Sequence, residues 1–79
     1  MEIKVLGTGC GRCKSLEKAT RKAVEELNLD ATVEKVEDIQ KIMVYAVMRT
    51  PALVIDDKVV LSGHVPKIAD LKKILTQNL

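Results

Sequence analysis

Two β-prone runs flank a stretch too long and too regular to be a loop, and this arrangement limits the possible folds more than any other feature of the chain. Ile3-Lys4-Val5-Leu6 is a short β-prone run stopped by Gly7-Thr8-Gly9. Beyond it Cys13, Leu16, Ala19, Thr20, Ala23, Val24 and Leu27 recur at helical spacing, while Lys14, Glu17, Lys18, Arg21, Lys22 and Glu25 mostly fill the other face. The spacing predicts an amphipathic helix over 11–28. Ala31, Val33 and Val36 then stand among charged residues through 31–37, which reads as a second strand. A strand, a helix and a second strand in this order call for a right-handed parallel crossover.

The rest of the chain adds a second helix, a hairpin and a third helix. Asp38 can cap a helix whose apolar stripe is Ile39, Ile42, Met43, Ala46 and Val47, and which must end before Pro51. Pro51-Ala52-Leu53-Val54-Ile55 and Lys58-Val59-Val60-Leu61 are β-prone runs separated by Asp56-Asp57, the spacing of a tight hairpin. Ser62-Gly63-His64 breaks the second run. Pro66 suits the first turn of a last helix striped by Ile68, Leu71, Ile74 and Leu75. The order is βαβαββα: an α/β fold with a four-stranded mixed sheet and helices on both faces. With 79 residues the chain is expected to form one domain. A domain of this size buries only roughly 60–65% of the surface its unfolded chain exposes, so its core is thin.

Several functions are disfavoured at this stage. Tyr45 is the only aromatic ring, which argues against binding modes that stack bases on ring platforms. Thirteen basic against eleven acidic residues leave a net charge of +2, too near balance for a phosphate-backbone binder. No nucleic-acid partner is expected. No apolar run reaches the roughly 18 residues of a membrane span, and no charged-then-apolar leader is present. The expectation is a cytoplasmic monomer without membrane partners. Two cysteines three positions apart are too few for the disulfide framework of a small secreted scaffold, so their purpose is read as chemical.

Cys10-Gly11-Arg12-Cys13 lies where the first loop meets the first long helix. Free amide groups and aligned peptide dipoles at a helix start stabilise an anion, so a thiolate at Cys10 is favoured there. Arg12 and Lys14 add positive charge. Cys13, one helical turn on, is at a separation compatible with a disulfide to Cys10. In the resulting cycle Cys10 attacks a substrate disulfide and Cys13, on the buried helix face, resolves the mixed disulfide. Gly11 either leaves room for a substrate beside Cys10 or simply starts the helix. A Cys-x-x-Cys pair beside a βαβ pattern is a signature of thioredoxin-like redox motifs.

The sequence resembles the thioredoxin superfamily, at glutaredoxin size, and most closely the compact redox-active-disulfide proteins of archaea and bacteria. The likeness rests on Gly7-Thr8-Gly9-Cys10-Gly11-Arg12-Cys13, on Thr50-Pro51 opening the third strand, and on Val59-Val60-Leu61-Ser62-Gly63 before the last helix. It implies a thiol–disulfide oxidoreductase with Cys10 as nucleophile and Cys13 as resolving thiol. It also implies a cis Pro51 against the cysteines and a backbone edge at Thr50 for an extended substrate, with Gly11 and Arg12 at the same substrate surface. No cofactor beyond the Cys10–Cys13 redox-active disulfide is implied. The implied partners are disulfide-containing protein clients and a dithiol or flavoprotein reductase as donor. The chain departs from thioredoxins in having Gly9 and Arg12 where they carry tryptophan and proline. Ser62-Gly63-His64 replaces the glycine pair and aspartate with which glutaredoxins hold glutathione. No convincing counterpart of the buried thioredoxin acid is found, since Glu2 falls at the frayed start of its strand.

One alternative belongs to another class. Metal chaperones of similar size carry a cysteine pair of the same spacing after their first strand, and soft thiolates select Cu(I) or Zn. They end on a strand and have methionine where this chain has Thr8, and a lone cysteine pair half-fills a tetrahedral zinc site. A redox-inert interaction module on the same fold is a third reading. His64 is read as a solvated loop residue at some distance from Cys10. Met43 and Met48 are read as core filler, Tyr45 as a rim residue, and Lys67, Lys72 and Lys73 as the solvated face of the last helix.

Overall fold

The computed structural model describes residues 1–8, 11–47 and 49–78. Its elements are β1 (Glu2–Leu6), α1 (Gly11–Glu26), β2 (Thr32–Val36), α2 (Ile39–Val44), β3 (Ala52–Ile55), β4 (Lys58–Ser62) and α3 (Ile68–Gln77). The strands form one mixed sheet in the order β2-β1-β3-β4. β1 and β2 are parallel, as the crossover through α1 requires, and β3 runs antiparallel to both β1 and β4. β4 is followed by α3, which completes the expected order βαβαββα. Among the described residues, no helix is long and apolar enough to cross a membrane.

Strand alternation divides the core between the two faces. Ile3 and Val5 of β1, with Leu53 and Ile55 of β3, pack against Leu16 and Ala23 of α1 and Leu71 and Leu75 of α3. The intervening residues Leu6, Ala52 and Val54 meet Val36 and Ile42 on the other face. Only Ile42 of α2 is buried, whereas Met43 is 68% and Val44 81% exposed. The predicted stripe therefore fails at Ile39, Met43 and Ala46, all exposed, with Ala46 and Val47 beyond the end of α2, and Met43 is not core filler. A helix of six residues makes fewer than two turns and can turn only a narrow stripe inward. Met48 lies outside the described residues.

The helix boundaries follow local chemistry. Asp38 caps α2, its carboxylate accepting from the Gln40 N–H at 2.9 Å. α1 stops at Glu26, short of the expected 28. Asn28 takes a left-handed conformation (φ 52°), its N–H bonds the Glu25 carbonyl, and the Leu29 N–H reaches back to Val24. That is a Schellman turn, and Val24 and Leu29 both pack on the core, supplying its usual apolar contact. Pro66 precedes the Lys67 cap and so lies outside α3 rather than in its first turn. Lys72 is tied to Glu26 of α1 at 3.1 Å, which removes it from the freely solvated face.

In the β3–β4 hairpin Asp56 and Asp57 both have positive φ (47° and 68°), as a two-residue type I′ turn demands. A register shift between Leu53 and Val54 makes Val60 an extra residue in β4, and both Val60 and Leu61 pack on the α1/α3 side. Glu2 is not frayed. Its N–H donates to the Asp56 carboxylate at 2.9 Å and its carbonyl accepts from the Asp56 N–H at 2.8 Å.

Candidate active site

The strand directions bring four segments to one end of the sheet. β1 and β2 finish there, β3 starts there and β4 returns there. This is the end that receives Gly7, Glu37, Thr50-Pro51 and Ser62-Gly63, and in open α/β sheets it is where ligands usually bind.

Cys13 lies in the first turn of α1, 1% exposed, with its side chain against Gly7. A methyl group placed on Gly7 would overlap the Cys13 sulfur and come within 2.9 Å of its Cβ. Gly7 is itself fixed by donating its N–H to the Val36 carbonyl at 2.9 Å. The sequence reading saw only a turn-former at position 7. The sulfur's demand for space is the signal it missed. Cys10 lies outside the described residues.

Pro51 is buried and the Thr50–Pro51 peptide bond is cis. The β1–β3 register pairs Leu6 with Ala52, so its continuation sets Pro51 opposite Gly7, the residue that touches Cys13. The Pro51 carbonyl accepts from the Gly63 N–H at 2.8 Å, while Thr50 is exposed. Gly63 has φ 84°, open to glycine at no steric cost, and the Arg49 side chain crosses it: a Cβ there would lie 3.2 Å from the Arg49 Cδ. The loops before β3 and after β4 are thus joined.

Gly11 and Arg12 are exposed, and with Ser15, His64 and Val65 they line an open cavity of about 790 Å³. A Cβ on Gly11 would meet nothing within 4 Å, so the fold does not require glycine there. His64 is an exposed loop residue, and the β4–α3 loop brings it to the same cavity as Gly11 and Arg12, because β4 returns to the end of the sheet from which α1 starts.

A second residue that sequence reading passed over is Lys35. Strand alternation turns Val33 and Lys35 of β2 toward the α1 side, where Val33 packs on the core. Lys35 is held above the usual lysine range, first by its hydrogen bond to Glu37 and against partial desolvation, with further attraction from Glu37, Glu17 and Cys13. Its Nζ lies 2.8 Å from the Glu37 carboxylate, which is correspondingly held below the usual range. The detectable signal was a lysine at an inward-facing strand position. Among the described residues the only buried polar side chain is Thr20, whose hydroxyl donates to the Leu16 carbonyl at 2.7 Å.

Comparison with known proteins gives a consistent result. Residues 1–76 match the family described as thioredoxin domain. A protein named thioredoxin from Methanothermobacter thermautotrophicus is 38% identical over 76 residues, which span 96% of this chain and 99% of that one. A second thioredoxin, from Methanocaldococcus jannaschii, is 38% identical over 77 residues, spanning 98% of this chain and 88% of its own.

Proposed function

The chain belongs to the thioredoxin-domain family, a family of thiol–disulfide oxidoreductases, and from that premise we propose that Cys10 and Cys13 form its redox couple. Its substrates are disulfides, and a reductase-type donor restores the dithiol. The Cys10 thiolate attacks one sulfur of a substrate disulfide; that S–S bond breaks, a Cys10–substrate disulfide forms, and the first substrate thiolate leaves and takes a proton. Cys13, deprotonated, attacks the Cys10 sulfur. The second substrate thiolate departs and the Cys10–Cys13 disulfide remains, so two electrons have passed to the substrate.

The observation that carries this reading is the position of Cys13: buried in the first turn of a 16-residue helix, three residues after Cys10, with Gly7 against its side chain. A thiol so enclosed is shielded from large substrates and suited to an intramolecular second attack. Thr50 offers an exposed backbone edge to an extended substrate, Pro51 shapes the wall beneath it, and Gly11 and Arg12 border the approach to Cys10.

Reduction of a peptide disulfide in the presence of a dithiol donor tests the assignment. Cys10→Ser is expected to abolish turnover. Cys13→Ser is expected to leave the first attack and accumulate a Cys10–substrate adduct visible by mass spectrometry. Undiminished turnover in Cys10→Ser would overturn the proposal.

A further inference from the structure

The chain carries eleven acidic residues, yet none falls within 7–16 or 61–69, which supply the lining of the cavity, or within 45–55, which supplies the Arg49 side chain against Gly63. Those segments hold Arg12, Lys14, Arg49, His64 and Lys67. Arg12 and His64 line the cavity directly, and Arg49 lies over Gly63 beside His64. Among the described residues, no carboxylate pairs with Arg12, Lys14 or Arg49. The acids near this end of the sheet are Glu17 of α1, which attracts Lys35, and the two that follow β2, of which Glu37 also attracts Lys14. There Glu37 is bonded to Lys35 at 2.8 Å and Asp38 is engaged in capping α2. Other acids gather at the opposite end, where Glu2 and Asp56 bond each other and the N-terminal amine meets the Asp30 carbonyl.

A cavity of about 790 Å³ admits several side chains or a short stretch of peptide. A guanidinium presents a planar fork of donors that matches a carboxylate, and an imidazole presents at least one N–H. Gly11 and Val65 contribute the uncharged wall. Ser15 already donates its hydroxyl to the Gly11 carbonyl at 3.0 Å, which leaves its oxygen as an acceptor and the donor work to Arg12 and His64.

We propose that this cavity is an acidic-flank subsite, by which the protein selects polypeptide disulfides with carboxylate side chains close to the reactive cystine. The inference rests on the thiol–disulfide exchange reading of the same site. Arg12 stands between the two cysteines in sequence, so a substrate sulfur at Cys10 leaves its own neighbours, one or two residues of roughly 3.5 Å each, beside Arg12 and the cavity that His64 also lines. Arg12 and His64 are specificity residues that touch the substrate's flank and take no part in the electron transfer.

Three peptides with an identical intramolecular disulfide and Glu-Glu, Gln-Gln or Lys-Lys flanks test it, with kcat/KM measured on the intact protein. The order acidic, neutral, basic is expected at low ionic strength, with roughly a tenfold spread for two exposed charges, carried mainly by KM. The spread should shrink in about 0.5 M salt, where the screening length falls to a few ångströms. Arg12→Glu should invert the order, and His64→Ala should narrow it. Lys73→Glu, on the exposed side of α3, should leave the order as it was. A glutamate at position 12 also disfavours a nearby thiolate, so the ratio among peptides is the readout rather than the absolute rate. Equal kcat/KM for all three peptides would overturn the subsite while leaving exchange intact. Failure to reduce any of them would remove the exchange reading itself, and the subsite with it.

Discussion

Against one face of the sheet lie α1 and α3, of 16 and 10 residues, which share a core with β1 and β3 and are tied together by Lys72 and Glu26. Against the other lies α2, six residues long, with one buried side chain and three large aliphatic ones in solvent. The difference separates stability from placement. The thick face holds the folded chain together and carries Cys13 in its first helix. The thin face has little to contribute to the core, and the segment after α2 leads the chain back to Thr50 and Pro51. Beside the apolar contacts of Ile42, Tyr45 and Val47 its anchor is polar: the Lys4 ammonium donates to the Tyr45 hydroxyl at 3.1 Å, and that hydroxyl donates to the Asp57 carboxylate at 3.3 Å.

Truncation should expose the contrast most strongly. Leu71→Ala, at a fully buried position on the thick face, is expected to cost about 3–5 kcal/mol, enough to consume much of the stability of so small a domain. Ile42→Ala, on the thin face, should cost about 2 kcal/mol or less because the short helix can settle over the gap. Denaturant melts of the two variants check this, and equal losses would erase the distinction between the faces. Next in size is Gly7→Ala, expected to cost about 1–3 kcal/mol by overpacking against Cys13. In a Cys13→Ala background the same change should cost distinctly less, because the overlap with the sulfur is gone while the 2.9 Å approach to the Cβ remains, a coupling that a double-mutant cycle reads directly. Additive losses would mean that the sulfur is not what excludes a side chain from position 7.

The smallest effect is expected from Tyr45→Phe, which removes both hydrogen bonds that fasten α2 to the sheet while keeping the ring. A fall in Tm of about 2–5 °C is expected at neutral pH. Lys4 is held above the usual lysine range, first by its hydrogen bond to Tyr45. A raised lysine pKa stabilises the folded state at pH values below the unfolded lysine pKa and is lost as pH rises through the folded value. The Tm difference between wild type and variant should therefore persist at neutral pH and fade in strongly alkaline solution. A difference that grew there would contradict the assigned anchor.

The contrast also explains which parts of the structure the sequence disclosed. Elements packed on the thick face announce themselves by period: Leu16, Thr20 and Ala23 in α1, and Leu71 and Leu75 in α3, are buried where helical spacing puts them. Asp56-Asp57 likewise marked the hairpin, because few residue pairs tolerate two positive φ values. The thin face misled, since Ile39 and Met43 look like core in a periodicity count but belong to a helix too short to turn them inward. At the site, the cysteine pair and Thr50-Pro51 were legible as motifs. Two neighbours were not: Gly7, whose closeness to the sulfur depends on how α1 starts after β1, and His64, which strand order returns to the cavity that Arg12 lines.

The contact between Gly7 and Cys13 also has an evolutionary side. Two positions six apart in the chain share one volume, so neither can drift alone: a side chain at 7 is open only to a lineage that has already given up the thiol at 13. Relatives that keep the resolving cysteine should then keep glycine before the active loop, while those in which position 13 has become glycine should be free to vary at 7. A glycine at that position would mark a chain that has retained the space for two-thiol chemistry.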